Sequence, residues 1–431
     1  MRKFKAEYIT SGIFLCVIIG LMFSAVYVFA SKKIDKLTSD EPEIKIDWEA
    51  LYPFEDTNGK SVKSLRKETL IEKAYAYIKK KFGDYSSEKL PGYHNIVESA
   101  KQYENAVKWN MASMSDYNAV VKLHDGYLTT YMSSRDITEN ANVTIELAEF
   151  CRQRGIEFFY ANLPTKICVS EDKNISGVLD FANQNADRFL AMLDDAGVRN
   201  YDFRKLLHED GINHHEAFFV TDHHWKPETG LWAARHILKI LRDDYGYDVN
   251  PDVLNPDRFD YVIYPEWFLG SQGKKVTLAR TKPDDFTMIY PKYETYLHYE
   301  IPSRGINTSG DFTVTYDMKH VESKDYYHKN PYAAYNHGDM PLIRMDNAKV
   351  RNNKKILIVH DSVSNCVVPF ISLGVQNICS MDLRAFSGSI KKFIAMEKPD
   401  AVIIIYYGTI PGRDAVTKLA RETDNKFYDF R

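Results

Sequence analysis

Cysteine is scarce: the chain has five in 431 residues, and one of them, Cys16, sits inside an apolar run near the amino terminus. The other four, Cys151, Cys168, Cys366 and Cys379, match no metal-binding spacing. Cys366 and Cys379 flank one predicted helix and are the pair placed to bridge, with isolated buried thiols as the competing reading. Neither sign of charge is in excess: 56 Lys and Arg stand against 59 Asp and Glu, a net charge of −3. No basic field exists, which argues against non-specific nucleic-acid binding. Repeats and low-complexity tracts are absent, and so is a second apolar run long enough to cross a bilayer. At 44% hydrophobic and 13% aromatic residues, the chain carries enough apolar surface for a sizeable core.

The first apolar run is the exception. No charge occurs from Tyr8 to Ala30, and a helix of this length crosses a hydrocarbon core of about 30 Å. Arg2, Lys3 and Lys5 precede it, which favours a cytoplasmic amino terminus. The expectation is a single-pass plasma-membrane anchor in residues 1–36, with the body outside the cytoplasm. A cleaved secretory signal ending at Val28-Phe29-Ala30 is the rival, and it exports the body as well. Cys16 lacks the small preceding residues of a lipidation site.

Residues 37–120 read as a linker followed by a helical region (Lys63 to Phe82) and an uncertain segment from Tyr103. From residue 121 the pattern changes. Gly126 punctuates a turn into a strand at Leu128. Helical spacing at 142–153, 186–196 and 227–241 alternates with short apolar strands at 156–160, 200–203, 217–220, 356–359 and 401–406. Further helices are predicted from about Val363 and over 387–397. Short apolar strands alternating with helices imply a parallel sheet covered on both faces. A polar stretch of about 245–353, rich in Tyr, Pro and Asp, reads as a mostly β insertion with alternating pieces such as Phe312 to Tyr316. The expected fold is therefore α/β.

In such sheets ligands bind beyond the carboxyl ends of the strands. Four clusters fall there: Asn162 to Lys166, Asp222 to Trp225, Asp361 to Asn365, and Tyr407-Gly408. Asp222 and His224 are two apart, so an extended segment puts both on one side and turns His223 away. Asp222 can then orient His224, and His224 can take the proton of Ser362, the parts of a serine acyl-transfer site. Competing assignments are blander. Asp361 or Ser362 can simply cap the next helix, Trp225 can pack in the core, and Arg384 can pair with Asp382. A metal centre on Asp222, His223, His224 and Asp361 is the chemical rival, but adjacent histidines on a strand point apart. Asn365 and Arg384 are candidate oxyanion or substrate donors. Trp225, Tyr407 and Lys166 are candidate sugar-binding or rim residues. No metal and no cofactor is called for.

Thr221-Asp222-His223-His224-Trp225 resembles the signature of the DHHW family. Phe268-Leu269-Gly270-Ser271, Tyr335-Asn336-His337-Gly338-Asp339-Met340-Pro341, Asp361-Ser362 with Pro369-Phe370, and Asp382-Leu383-Arg384 resemble its further segments in the same order. The resemblance runs from about Gly126 to the carboxyl terminus. That family is similar to the SGNH-hydrolase-like proteins of alginate O-acetylation. The resemblance implies a flavodoxin-like α/β fold and O-acetyl transfer to, or acetyl-ester hydrolysis on, an exported polysaccharide. Asp222, His224 and Ser362 would be acid, base and nucleophile, and a multispanning membrane O-acyltransferase would be the partner that delivers acetyl groups. Here His360 precedes Asp361-Ser362 where a small or basic residue is commoner, and Val363 replaces a frequent aromatic. The alternative function is a non-catalytic glycan-binding or scaffold protein beside such an acyltransferase.

Overall fold

The computed structural model describes residues 120–123, 125–168, 180–408, 413–414 and 426–430. The anchor expected over residues 8–30, the linker and the helix expected over 63–82 lie outside them. Among the described residues no helix is long and apolar enough to cross a membrane.

Eight strands make the central sheet: β1 (Glu157–Leu163), β2 (Asn200–Asp202), β3 (Leu297–Ile301), β4 (Ile306–Gly310), β5 (Ile343–Asn347), β6 (Lys355–His360), β7 (Asn377–Met381) and β8 (Ala401–Tyr407). Their order is β2-β1-β8-β6-β7-β5-β3-β4. The strands β2, β1, β8, β6 and β7 pair in parallel. Those from the insertion, β5, β3 and β4, extend the sheet in antiparallel fashion. The insertion thus gives three strands to one wing of the same sheet, and its hairpin of Phe259–Phe268 with Asp284–Pro291 is a two-stranded sheet of its own.

Both faces of the parallel wing are covered, which is why its central strands β6 and β8 are almost continuously apolar. Along β6, Ile356 and Ile358 enter one core, while Leu357 and Val359 enter the other. Along β8, Ile403 and Ile405 alternate in the same way with Val402, Ile404 and Tyr406. The second core is closed by α1 (Thr138–Arg152), α2 (Ala182–Asp195) and α5 (Ile390–Glu397). The first is closed by α3 (Phe203–Glu209), α4 (Pro227–Asp243) and an antiparallel hairpin of Phe259–Phe268 with Asp284–Pro291. Truncating a fully buried isoleucine such as Ile403 removes about 2–5 kcal/mol in cores of this kind.

Several expectations are corrected. Residues 217–220 form no strand: His215–Ala217 is a 3-10 turn, and only an isolated bridge joins Phe218 to Trp225. The helix expected after Val363 is a 3-10 turn over Ser362–Cys366 and one helical turn over Val368–Ile371. Phe312–Thr315 is 3-10 rather than strand, because the Asp311 side chain caps Thr313 N–H. Strand β7 went unread, since Asn377 and Ser380 interrupt its apolar character. Of the two readings open for Cys366 and Cys379, a bridge or isolated buried thiols, the second holds: Cys379 lies on β7, Cys366 in the turn after Ser362, and both are buried and free.

Candidate active site

Strand β6 ends at His360, and the chain turns at once into the Ser362–Cys366 3-10 turn. Asp361 makes that turn possible. Its carboxylate accepts Val363 N–H at 3.0 Å and Tyr407 N–H at 2.7 Å, tying the end of β6 to the end of β8. Burial pushes the Asp361 carboxyl up to about 6, against the amide of Tyr407 and the charge of Arg384. Ser362 is left half-buried at the carboxyl edge of the parallel wing, as the strand-end argument expects.

The acid and base arrive from elsewhere. Residues 218–225 form a tight loop before α4, closed by Lys226 N–H on Ala217 O at 2.9 Å. Asp284 accepts the N–H groups of Val220 and Thr221, each at 2.8 Å, while Phe218 and Phe219 donate to His215 O and His224 O, so Phe218-Phe219-Val220 joins no strand ladder. Pro227 starts α4, and Gly230 lets that helix touch the serine turn, where a Cβ would lie 2.4 Å from Cys366 Sγ.

Within this loop Asp222 Oδ1 accepts His224 N–H at 3.0 Å and pairs with His224 Nδ1. Its Oδ2 accepts Ser271 N–H. Burial pushes the Asp222 carboxyl up, but the two neighbouring imidazoles and the hydrogen bonds from His224 outweigh it, holding the group well below the usual carboxylate range. The other ring nitrogen, His224 Nε2, lies 2.9 Å from Ser362 Oγ across 138 residues of chain. Carboxylate, imidazole and hydroxyl therefore form one hydrogen-bonded line. A neutral imidazole that donates Nδ1–H to Asp222 presents the Nε2 lone pair to the serine.

The loop is a turn, not an extended strand, and this corrects the expected position of His223. It does not point away. Its ring lies 3.9 Å from that of His224, and its Nδ1 lies 3.1 Å from Ser271 Oγ. Burial in the loop and the adjacent His224 push the His223 imidazole down, although 37% of its side chain is exposed.

Two residues expected at the rim are structural. Lys166 is fully buried, and its ammonium donates to Leu128 O at 2.6 Å, Asp222 O at 2.5 Å, Gln272 Oε1 at 3.1 Å and Val220 O at 3.3 Å. It holds the backbone of Asp222 rather than a substrate. Trp225 is also fully buried and donates Nε1–H to Val363 O at 2.8 Å, which pins the acid–base loop to the serine turn. Asn365 and Arg384 both reach Asp339, at 2.8 and 2.9 Å. Arg384 also pairs with Asp382, so these two groups brace the floor instead of pointing free donors at Ser362. Their meeting point depends on a left-handed run, Asn336, His337 and Gly338, with φ of 55, 55 and 75°. Tyr407 is partly buried, its ring 6.1 Å from that of His223.

Tyr332 was not foreseen. Its ring stacks on His224 at 4.1 Å and its hydroxyl donates to Val363 O at 2.7 Å. No spacing in the sequence ties a tyrosine at 332 to a histidine at 224. The Leu269-Gly270-Ser271 segment has a physical reason: Gly270 lets Ser271 N–H reach Asp222. A Cβ on Gly270 would lie 2.2 Å from Asp222 Cβ and 2.5 Å from Oδ2. Gly270→Ala is expected to displace the carboxylate and lower catalytic turnover about 100-fold, the effect of a shift near 1 Å. Steady-state kinetics with a thermal midpoint as folding control checks it.

Lys166→Met strips its donor from three buried acceptors, Leu128 O, Asp222 O and Gln272 Oε1, while Val220 O keeps the N–H of Leu128. Each orphan costs about 1–3 kcal/mol, so a loss of several kcal/mol is expected in urea titrations. Burial pushes Lys166 down to about 7 against the pull of Asp222, Asp284 and Asp125. An unfolded lysine titrates near 10.4, so between about 7 and 10.4 the unfolded chain holds the extra proton. Wild-type stability gains from this group as pH rises through that window, and the methionine variant lacks the gain.

Two groups of potential metal ligands occur among the described residues: Asp222 with His223 and His224, and Cys168 with His208 and His214. In the first, both His224 ring nitrogens already serve Asp222 and Ser362.

Residues 123–253 match the family described as SGNH hydrolase-like domain, acetyltransferase AlgX. That match contains Asp222 and His224 and ends before Ser362. The chain is 25% identical over 154 residues to the alginate biosynthesis protein AlgX of Pseudomonas aeruginosa, which is 33% of this chain and 32% of that protein. The aligned stretch thus spans about a third of the curated relative. The fold is that of Bacillus cereus PatB1, solved with a sulfonyl adduct: TM-score 0.58, 16% identity, 72% of this chain and 98% of that one. A DHHW family protein from Eubacterium siraeum superposes with a TM-score of 0.50 at 18% identity, over 71% of this chain and 93% of that one. The chain thus has an SGNH-hydrolase-like α/β fold with a mostly parallel sheet, and its residues 123–253 are similar to the SGNH hydrolase-like domain of AlgX.

Proposed function

We propose that the chain is a serine-dependent O-acetyltransferase of an exported polysaccharide, held at the plasma membrane by the apolar run of residues 8–30. The observation that carries the proposal is the continuous line from Asp222 through His224 to Ser362 Oγ, 2.9 Å from Nε2. The relationship to the AlgX domain supports acetyl transfer as the chemistry, and the alginate role of that relative supports a polysaccharide acceptor. PatB1, which has the same fold, was solved with a sulfonyl adduct, which supports testing this chain with a sulfonylating reagent.

His224 Nε2 takes the Ser362 proton as Oγ attacks the acetyl carbonyl carbon. The carbonyl oxygen becomes an oxyanion, and the Ser362 backbone N–H at the start of the 3-10 turn is its nearest donor by position; such a donor is worth about 3 kcal/mol. The imidazolium, steadied by Asp222, returns the proton to the departing alcohol of the donor. A sugar hydroxyl then gives its proton to Nε2 and attacks the acetyl-serine, and Ser362 regains a proton as the ester leaves. Stacking of Tyr332 on His224 keeps the ring in plane with both partners. Water in place of the sugar gives the esterase reaction with the same groups. A multispanning membrane O-acyltransferase is the partner suited to supply acetyl groups across the bilayer.

The test is acetyl release from 4-nitrophenyl acetate, and transfer to oligosaccharides, by the purified full-length chain. Activity that depends on Ser362 and His224 supports the reading. Equal rates in Ser362→Ala sink it and favour a glycan-binding partner.

A further inference from the structure

A second cluster lies behind the catalytic loop and takes no part in the reaction above. His208 closes α3, the turn at Gly211 (φ 69°) reverses the chain, and His214 follows. Cys168 comes from the segment after β1. His208 Nε2 lies 3.6 Å from Cys168 Sγ and 3.3 Å from His214 Nδ1, and all three ligand atoms fall within 4.8 Å of one another. Tetrahedral zinc, with Zn–S about 2.3 Å and Zn–N about 2.0–2.1 Å, spaces sulfur from nitrogen by about 3.6 Å and nitrogen from nitrogen by about 3.3 Å. Both measured edges fit.

The orientation of His214 is the independent sign. Its Nε2 lies 2.7 Å from Thr165 O, deep in the protein. Donating Nε2–H to a backbone carbonyl fixes the tautomer in which Nδ1 offers a lone pair, the arrangement that metal-bound histidines adopt. His208 is exposed while Cys168 and His214 are buried, so an ion can enter from the His208 side and keep a water as fourth ligand.

We infer that Cys168, His208 and His214 form a binding site for one zinc-class divalent cation, bound as thiolate and two neutral imidazoles. Binding releases the thiol proton to solvent. The ion ties the segment after β1 to α3, and the carbonyl of Thr165 sits beside Lys166, which holds the Asp222 backbone. Nothing in this inference depends on acyl transfer.

The experiment takes the full-length chain through a chelator, removes the chelator, and titrates with Zn²⁺ alone and Co²⁺ alone. One equivalent of zinc per chain is expected, with a thiolate-to-cobalt charge-transfer band in the Co²⁺ form. Cys168→Ser should abolish the band, and Cys168→Ser and His208→Gln should each weaken zinc by more than the ~10–100-fold worth of an outer-shell partner. His223→Asn should leave both readouts unchanged, because it touches only the other ligand group. Circular dichroism of each variant confirms the fold. Absence of stoichiometric uptake by wild type overturns the site. So does uptake unchanged in both Cys168→Ser and His208→Gln, or uptake lost in His223→Asn instead.

Discussion

Replacing Ser362 by alanine is expected to lower kcat/KM for acetyl transfer and for ester hydrolysis by roughly 10⁴- to 10⁶-fold, as for other serine–histidine–carboxylate sites. The hydroxyl is the only group at the end of the line from Asp222 through His224. Its removal takes away the covalent route and leaves any residual rate to binding and oxyanion stabilisation. The fold should survive, because the turn around Ser362 is held by Asp361, Trp225 and Tyr332 rather than by the serine side chain. Kinetics with unchanged circular dichroism checks this. A loss below tenfold would place the nucleophile elsewhere.

Asp222→Asn is the second large effect, about 10⁴-fold in kcat with KM nearly unchanged. The carboxylate accepts three hydrogens: His224 N–H, His224 Nδ1–H and Ser271 N–H. An amide at this position has one oxygen and one NH₂, so one donor of the three meets another donor. If the amide oxygen takes Ser271 N–H, the NH₂ faces the His224 ring, which then accepts at Nδ1, carries its proton on Nε2 and meets Ser362 as a donor. The same kinetic assay reads the result. The ¹⁵N shifts of the His224 ring should report the exchanged protonation of the two nitrogens.

Where the chain was legible, local chemistry and final contact agreed. The runs at 356–359 and 401–406 are apolar at every position because β6 and β8 are covered on both faces, and no other element tolerates that pattern so briefly. Pro227 and the spacing behind it fix α4 from sequence alone. Asp222, His224 and Ser362 were readable because a carboxylate, an imidazole and a hydroxyl have one common joint use. The rest was decided by partners far along the chain. Phe218-Phe219-Val220 looks like a strand, but its amides go to His215 O, His224 O and the carboxylate of Asp284, 64 residues from Val220, and the segment folds as a loop. Lysine is a surface residue by default, yet Lys166 is drawn inward by carbonyls from residues 128, 220 and 222. Trp225 has the shape of a sugar platform, but the Val363 carbonyl claims its indole N–H. The insertion reads as mostly β, but its individual strands β3, β4 and β5 do not, because they are short and set between polar 3-10 turns. Only the assembled sheet shows that the insertion belongs to the same layer.

The most direct test is to trap the acyl-enzyme. The full-length chain is mixed with an acetyl ester, quenched in acid within one turnover, and digested for peptide mass spectrometry; a parallel sample is treated with a sulfonyl fluoride. One acetyl or sulfonyl group per chain is expected on Ser362, absent from Ser362→Ala and formed far more slowly in His224→Ala. Modification confined to another residue, or labelling of Ser362 at the same rate without the His224 imidazole, would contradict the triad.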